Sequence, residues 1–143
     1  MQSTYSFADL SVVIRHAAMG QLSLQGEGVG SITFNMTNDV SEHDLAADGS
    51  VMTSKIEAAN GTIVISVQQT SEAHRWFTRL YNYLKAAPSR EWAGIGLEGK
   101  ASDMRVTHTG ESISIQKRAD KPYAQQGGQV TWTFMAGYLN EVA

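Results

Sequence analysis

Four histidines, fourteen carboxylates and a run of glycines are the residues of this 143-residue chain with the types that carry chemistry. Their spacing offers little. His16, His43, His74 and His108 show no i, i+2 or i, i+4 relation to another histidine or glutamate of the kind that presents ligands to one metal. Glu42-His43-Asp44 looks ligand-like, but neighbours on an extended segment point to opposite sides. The histidines are therefore read as solvated surface residues. Gly26-Glu27-Gly28-Val29-Gly30 departs from the GxGxxG spacing and precedes a strand-like run. Phosphate cradles open into a helix N-terminus, so flexibility ahead of a strand is the better reading. There is no GxSxG elbow, and no grouping of serine, histidine and aspartate is suggested. The cysteine count of zero removes disulfides, thiolate ligands and thiol nucleophiles. Asn35-Met36-Thr37 and Asn60-Gly61-Thr62 fit the glycosylation pattern, which carries meaning only in a secreted chain. The sequence thus predicts no catalytic residue, no metal and no cofactor.

The elements around these residues read mostly with period two. Ser6–Ile14 is strand-prone, and Gln21–Leu24 suits a short return strand. In Ser31–Thr37, Ile32, Phe34 and Met36 alternate with Ser31, Thr33, Asn35 and Thr37. Val51–Glu57 repeats the theme, with Thr53, Lys55 and Glu57 on its polar side. Between the two lies Asn38–Ser50, read as a long functional loop with an Asp48-Gly49 turn. Asn60-Gly61 predicts a two-residue hairpin joining Val51–Glu57 to Thr62–Gln69. The period then changes. Ala73, Trp76, Phe77, Leu80, Tyr81 and Leu84 form one apolar stripe, predicting a helix over about 71–86. Ser71 is its N-cap, Lys85 suits its last turn and Pro88 stops it. At helical spacing its aromatic residues are core rather than a binding stripe. Glu91–Glu98, Asp103–His108, Glu111–Arg118 and Gln129–Leu139 complete the strand candidates. Eight or nine strands and one helix predict a mainly β fold: an antiparallel sandwich or partly open barrel with a flanking helix.

Length suits one domain spanning 1–143. Charged residues make up 17% and the net charge is −3, which disfavours a sequence-specific duplex binder. Residues 1–71 carry seven acids against Arg15 and Lys55; residues 72–143 carry seven acids against nine bases. Such asymmetry suits a chain that meets copies of itself. No apolar run is long enough to span a membrane, and the first residues do not read as a secretion signal, so synthesis in the cytoplasm is expected. The polar sides of Ser31–Thr37 and Val51–Glu57 hold hydroxyls and amides where solvated faces usually carry interspersed lysine and glutamate. That composition suits a non-adhesive conduit.

Three stretches resemble a known family: Thr4-Tyr5-Ser6-Phe7-Ala8-Asp9 at the start, Ala47-Asp48-Gly49-Ser50-Val51-Met52 in the middle, and the ending from Tyr123 through Gly127-Gly128-Gln129-Val130-Thr131-Trp132-Thr133-Phe134 to Leu139. They resemble the small tail tube proteins of contractile-tailed bacteriophages, in order and spacing, over essentially the whole chain. The resemblance implies a structural subunit. Six copies form a ring, strands join between subunits into one ring barrel, and rings stack into a tube within a sheath. A tape-measure protein fills the lumen, and double-stranded DNA later passes through it. Localisation in a virion tail follows. About 24 strands at ~4.8 Å spacing and a ~40° tilt would give a backbone diameter of roughly 48 Å, wider than a hydrated duplex. Phosphates are retained by basic surfaces, so a polar or acidic lumen is expected. Its candidates are Ser31, Thr33, Asn35, Thr37, Thr53, Lys55 and Glu57, with Lys55 paired to Glu57 or to a neighbouring subunit. Asp39, Glu42, Asp44 and Asp48 are candidates for contact with an adjacent subunit or ring. Arg75, Arg79, Arg90 and Lys100 are basic candidates for those contacts or for the sheath. A tube of a contractile bacteriocin or type VI-like secretion device is the alternative; a small β-barrel hydrolase or ligand-binding barrel is the reading from another class.

Overall fold

The computed structural model describes residues 3–25 and 28–143, so part of the glycine run, Gly26 and Glu27, lies outside the described residues. Among the described residues there are nine strands and one α-helix. They are β1 (Leu10–His16), β2 (Gly20–Leu24), β3 (Val29–Met36), β4 (Ser41–Leu45), β5 (Val51–Lys55), β6 (Gly61–Gln68), α1 (Glu72–Ala86), β7 (Ile95–Ala101), β8 (Val106–Lys117) and β9 (Gln129–Val142). Short 3₁₀ turns at Phe7–Asp9 and Ser89–Glu91 precede β1 and β7. Seven strands form one antiparallel sheet in the order β2-β1-β7-β8-β9-β6-β3, and β4 and β5 form a separate two-stranded sheet.

Chain connectivity shapes the large sheet. β2 and β3 lie at its opposite edges, yet only residues 25–28 separate them in sequence. Five extended steps reach ~17 Å. The sheet must therefore curl until its two edges approach, which makes it a partly open barrel. The barrel interior is lined by Val12, Ile14, Ile63, Ile65, Val67, Leu97, Ile113, Val130, Trp132 and Phe134, all buried. α1 lays its predicted stripe over this interior. Phe77 is fully buried, with ring centroids 5.6 Å from Trp132 and 5.3 Å from Phe134. Tilted aromatic pairs of this kind contribute ~0.5–1.5 kcal/mol each beyond the area they bury. Ser71 caps the helix by accepting the His74 backbone N–H at 3.2 Å.

Four expectations need correction. Asn38–Ser50 is not one long loop: it contains β4, and residues 46–50 turn the chain into β5. Asp48 accepts from the Ser50 N–H and hydroxyl there, and Gly49 adopts φ +89°. Asn60-Gly61 does not turn a hairpin. The favoured two-residue turn needs positive φ at both central residues, and neither has it. Instead Asn60 accepts from Thr37 N–H, and Gly61 begins β6 opposite both Met36 and Ala136. A Cβ on Gly61 would collide with the Asn35 carbonyl oxygen, so close backbone approach is what glycine serves here. The two segments predicted over 103–108 and 111–118 are one strand, β8, with Ser112 in the left-handed region at φ 53°. The pleat of β8 and of its partner β9 changes phase at Ser112 and Gly137. Gly110 and Leu139 are buried, whereas Tyr138, two residues beyond the buried Ala136, points out. Finally, Ser6–Ile14 opens with a 3₁₀ turn, and the strand expected from Glu91 starts at Ile95.

Candidate assembly surfaces

The outward face of β3, β6 and β9 carries three cross-strand rows. They are Ser31–Ser66–Thr131, Thr33–Val64–Thr133 and Asn35–Thr62–Met135. None of the nine side chains is ionisable. Ser66 and Thr131 hydroxyls bond at 3.0 Å, which fixes the first row. The sequence reading placed Ser31, Thr33 and Asn35 on a polar face, and the structure brings them together with Thr62, Ser66, Thr131 and Thr133. Those four went unassigned, although alternation within their own strands marked them. Thr53, Lys55 and Glu57 are not on this face. They belong to the β4–β5 unit, as Val51–Lys55 pairs with Ser41–Leu45 rather than with β3 or β6. Thr37 lies just past β3, its N–H bonded to Asn60.

The β4–β5 hairpin stands clear of the sheet, with all ten strand residues exposed. Its register sorts its side chains. Ser41/Lys55, His43/Thr53 and Leu45/Val51 share one face, while Glu42/Ser54 and Asp44/Met52 share the other. Leu45 and Val51 on the first face are 70% and 53% exposed, and Met52 on the second is 61% exposed. Residues 38–57 hold Asp39, Glu42, Asp44, Asp48 and Glu57 against Lys55 alone. Lys55 meets Glu57 at 3.1 Å, and no ion pair engages the other four acids among the described residues. The Ser50 hydroxyl and N–H hold the Asp48 carboxyl below its ordinary range.

The barrel has two unlike ends. The hairpin leaves from one, where β3 and β9 finish and β6 and β8 begin. Asp9, Asp103 and Glu141 are at this end, with Lys100 and Arg105. At the other end β6 and β8 finish, β9 begins and α1 starts. There the charge reverses: Arg75, Arg79, Lys85, Arg90, Lys117, Arg118 and Lys121 outnumber Glu72, Glu91 and Asp120. Of the basic candidates, Arg75 and Arg79 share Glu72 at 3.3 and 3.0 Å, which holds that carboxyl below its usual range, chiefly through the Arg79 hydrogen bond. Lys100 lies 3.8 Å from Glu98 on the far half of the sheet, and Arg90 is exposed in the turn before β7. Arg118 stands over the Tyr81 ring at 5.5 Å. The Tyr83 hydroxyl donates to Glu91 at 2.9 Å, which raises its pKa.

Two histidines correct the expectation of solvated rings. His16 and His74 are buried, 4% and 8% exposed. His16 Nδ1 accepts from Ala18 N–H, and His74 Nδ1 accepts from Trp132 Nε1–H at 3.1 Å. His108 stacks on Phe34 with centroids 4.3 Å apart, and only His43 stands free on the hairpin. Among the described residues no group of three histidines or carboxylates converges as a metal would require, and no helix is long and apolar enough to cross a membrane.

The fold is an open barrel with one helix over its interior and two sheet edges, β2 and β3, left unpaired. Solved structures share this fold. A chain of the sheath-tube complex of an extracellular contractile injection system, PVC, in its extended state superposes with a TM-score of 0.66 at 8% identity, covering 100% of this chain and 94% of that one. A chain of the same system's sheath/tube terminator gives 0.66 at 8% identity, covering 100% and 99%. One from the anti-feeding prophage cap, the AFP tube terminating cap, gives 0.64 at 10% identity, covering 99% and 93%. No curated protein sequence matches significantly. The chain belongs to the bacteriophage PhiTE tail tube protein family, which it matches over residues 2–143. It is a structural tail tube subunit, not an enzyme.

Proposed function

We propose that this subunit, as a single domain, closes with copies of itself into six-membered rings that stack into a hollow tube. The tube would run within the sheath of a contractile tail, house a tape-measure protein and pass double-stranded DNA. The observation that carries the reading is the state of the sheet edges. β3 exposes an eight-residue edge, Val29–Met36, without a charge or a proline, and β2 is equally bare. Proteins that stay monomeric blunt such edges with lysine, proline or bulges; β3 has no lysine or proline, and its one register shift, between Val29 and Ser31, is confined to its start. Pairing β2 of one copy with β3 of the next satisfies both edges, and an interface between two different surfaces closes into a ring when its rotation allows. The uncharged face of β3, β6 and β9, with Ser31, Thr33 and Asn35, then lines the bore. Thr37, Thr53, Lys55 and Glu57, of the original lumen set, go with the hairpin at the ring's rim. Without lysine or arginine to exchange for counterions, that wall lets a polyanion slide hydrated.

Negative-stain microscopy of the purified protein over a range of concentration tests this reading. Annular particles of uniform bore are expected. A species that remains monomeric across salt and concentration would overturn it.

A further inference from the structure

The bond between Trp132 and His74 decides what the other side of the imidazole can do. His74 Nδ1 accepts the indole proton at 3.1 Å, so the ring's own proton sits on Nε2. That Nε2–H donates to nothing among the described residues. His74 is only 8% exposed, yet no fully buried side-chain nitrogen or oxygen lacks a partner among the described residues, so Nε2 reaches an opening. The opening is a cleft of about 370 Å³, lined by Gln69, Thr70, His74, Lys121, Tyr123 and Ala124. We infer that this cleft binds a phosphate-type oxyanion, free or esterified to a small molecule, between His74 Nε2–H and the Lys121 ammonium. The inference concerns the single chain and does not depend on ring closure.

The cleft gathers donors and no anion. No carboxylate lines it, and Lys121 makes no ion pair among the described residues. The Lys121 charge reaches the imidazole, since it adds to burial in lowering the His74 pKa. Two donors side by side with no acceptor between them repel, and an anion relieves them. Thr70 and Tyr123 add hydroxyls, so donors come from the turn before α1, from α1 and from the segment after β8. His74 also lies in the first turn of α1, where the helix dipole favours negative charge. A planar carboxylate pairs best with an arginine fork, and no arginine lines the cleft. A tetrahedral oxyanion, with acceptor oxygens on every side, suits donors that surround it.

The walls are held in place before any ligand arrives. Gln69 Nε2 donates to the Pro122 carbonyl, and the Gln69 N–H donates to the Gly128 carbonyl at 3.0 Å. These bonds pin the segment that carries Lys121 and Tyr123, while Trp132 fixes the tautomer of His74. Little ordering is left for binding to impose. The volume falls at the small end of ligand sites, with room for a phosphate and a short organic group.

The test is calorimetric titration of the purified chain with inorganic phosphate, in chloride buffer near neutral pH. One ion per chain is expected. Lys121→Gln should weaken binding about tenfold or more, because a hydrogen bond to a charged group is lost. Lys117 is held by Asp120 at 3.8 Å and lies outside the cleft, so Lys117→Gln should bind as the wild type does. Both lysines are exposed, and both variants should melt with the wild type in chloride. In a proton–nitrogen NMR spectrum, phosphate should shift the Trp132 indole N–H, which shares the imidazole with the ion, and leave those of Trp76 and Trp92 in place. Glycerol phosphate separates the sources. Tighter binding than the inorganic ion assigns an esterified ligand, equal or weaker binding a free one, and either supports the site. Acetate binding as tightly as phosphate, equal losses in the two lysine variants, or an unmoved Trp132 signal would overturn the inference. So would an absence of binding heat together with a phosphate-dependent rise in melting temperature no larger than that of Lys121→Gln.

Discussion

His74 is the residue whose chemistry is most sharply defined. Its Nδ1 accepts the Trp132 indole N–H, so the ring is neutral with its proton on Nε2. Protonating Nδ1 breaks that bond and places a cation against the core. Burial, with a smaller contribution from Lys121, lowers its pKa below the ordinary 6.5. The sign follows from linkage. The unfolded chain binds the proton more readily, so the stabilisation is complete above the unfolded pKa. It is lost as pH falls from about 6.5 toward the lowered value. Thermal melts at pH 7.5 and 5 should show a drop for the wild type that is smaller in His74→Asn, whose amide oxygen can accept the indole proton without titrating. Equal drops in the two proteins would assign the acid sensitivity elsewhere. The spacing carries no hint of this role: a histidine beside a helical apolar stripe reads as a surface residue until the indole facing it is known.

At the level of elements, legibility depended on whether the signal was local. α1 was readable almost to the residue, because capping serine, stripe and terminating proline all lie within it. β3 was readable as an alternation for the same reason, and so was β9 as far as Ala136. Pairing was not. Asn60-Gly61 carries a strong hairpin signal, but β6 pairs with β3 and β9, and the glycine serves close approach to Asn35. The β4–β5 pairing was hidden because no core lies beneath it and β4 shows no apolar alternation; only β5 was legible, within Val51–Glu57. The lumen candidates split along this line. Those on β3 share a face with β6 and β9, while those on β5 went with the hairpin. The neutral face supports a test of its own. Thr33→Lys introduces one cation per copy at an exposed strand position, so folding stability should change by no more than about 0.5 kcal/mol. Assembled particles of the variant should retain added duplex DNA, and the bound fraction should fall about tenfold or more between ~50 and ~200 mM salt. Wild-type particles should retain little at either. Equal retention by both proteins would place Thr33 away from the bore.

For the whole molecule, the decisive quantity is how many backbone hydrogen bonds remain unmade in the isolated chain. A seven-stranded sheet closed on itself would leave none at its edges; this one leaves β2 and β3 each with an unpaired side. In an isolated subunit the outward amides of those strands are open to water and exchange quickly, whereas amides in β6 and in the middle of β8 and β9 lie between two partner strands and exchange only through larger openings. Ring closure by strand pairing converts the first group into the second. Hydrogen exchange followed before and after assembly should therefore show protection rising about tenfold or more over residues 20–24 and 29–36, with little change over 61–67 and 133–136, which are already paired on both sides. Protection should also rise over 41–45 and 51–55 only when rings stack. The two contacts thus separate in one measurement: edge strands report lateral closure and the hairpin reports axial stacking. Edges that exchange as fast in the particle as in the free chain would mean that copies meet through side chains alone, and the shared sheet would have to be abandoned.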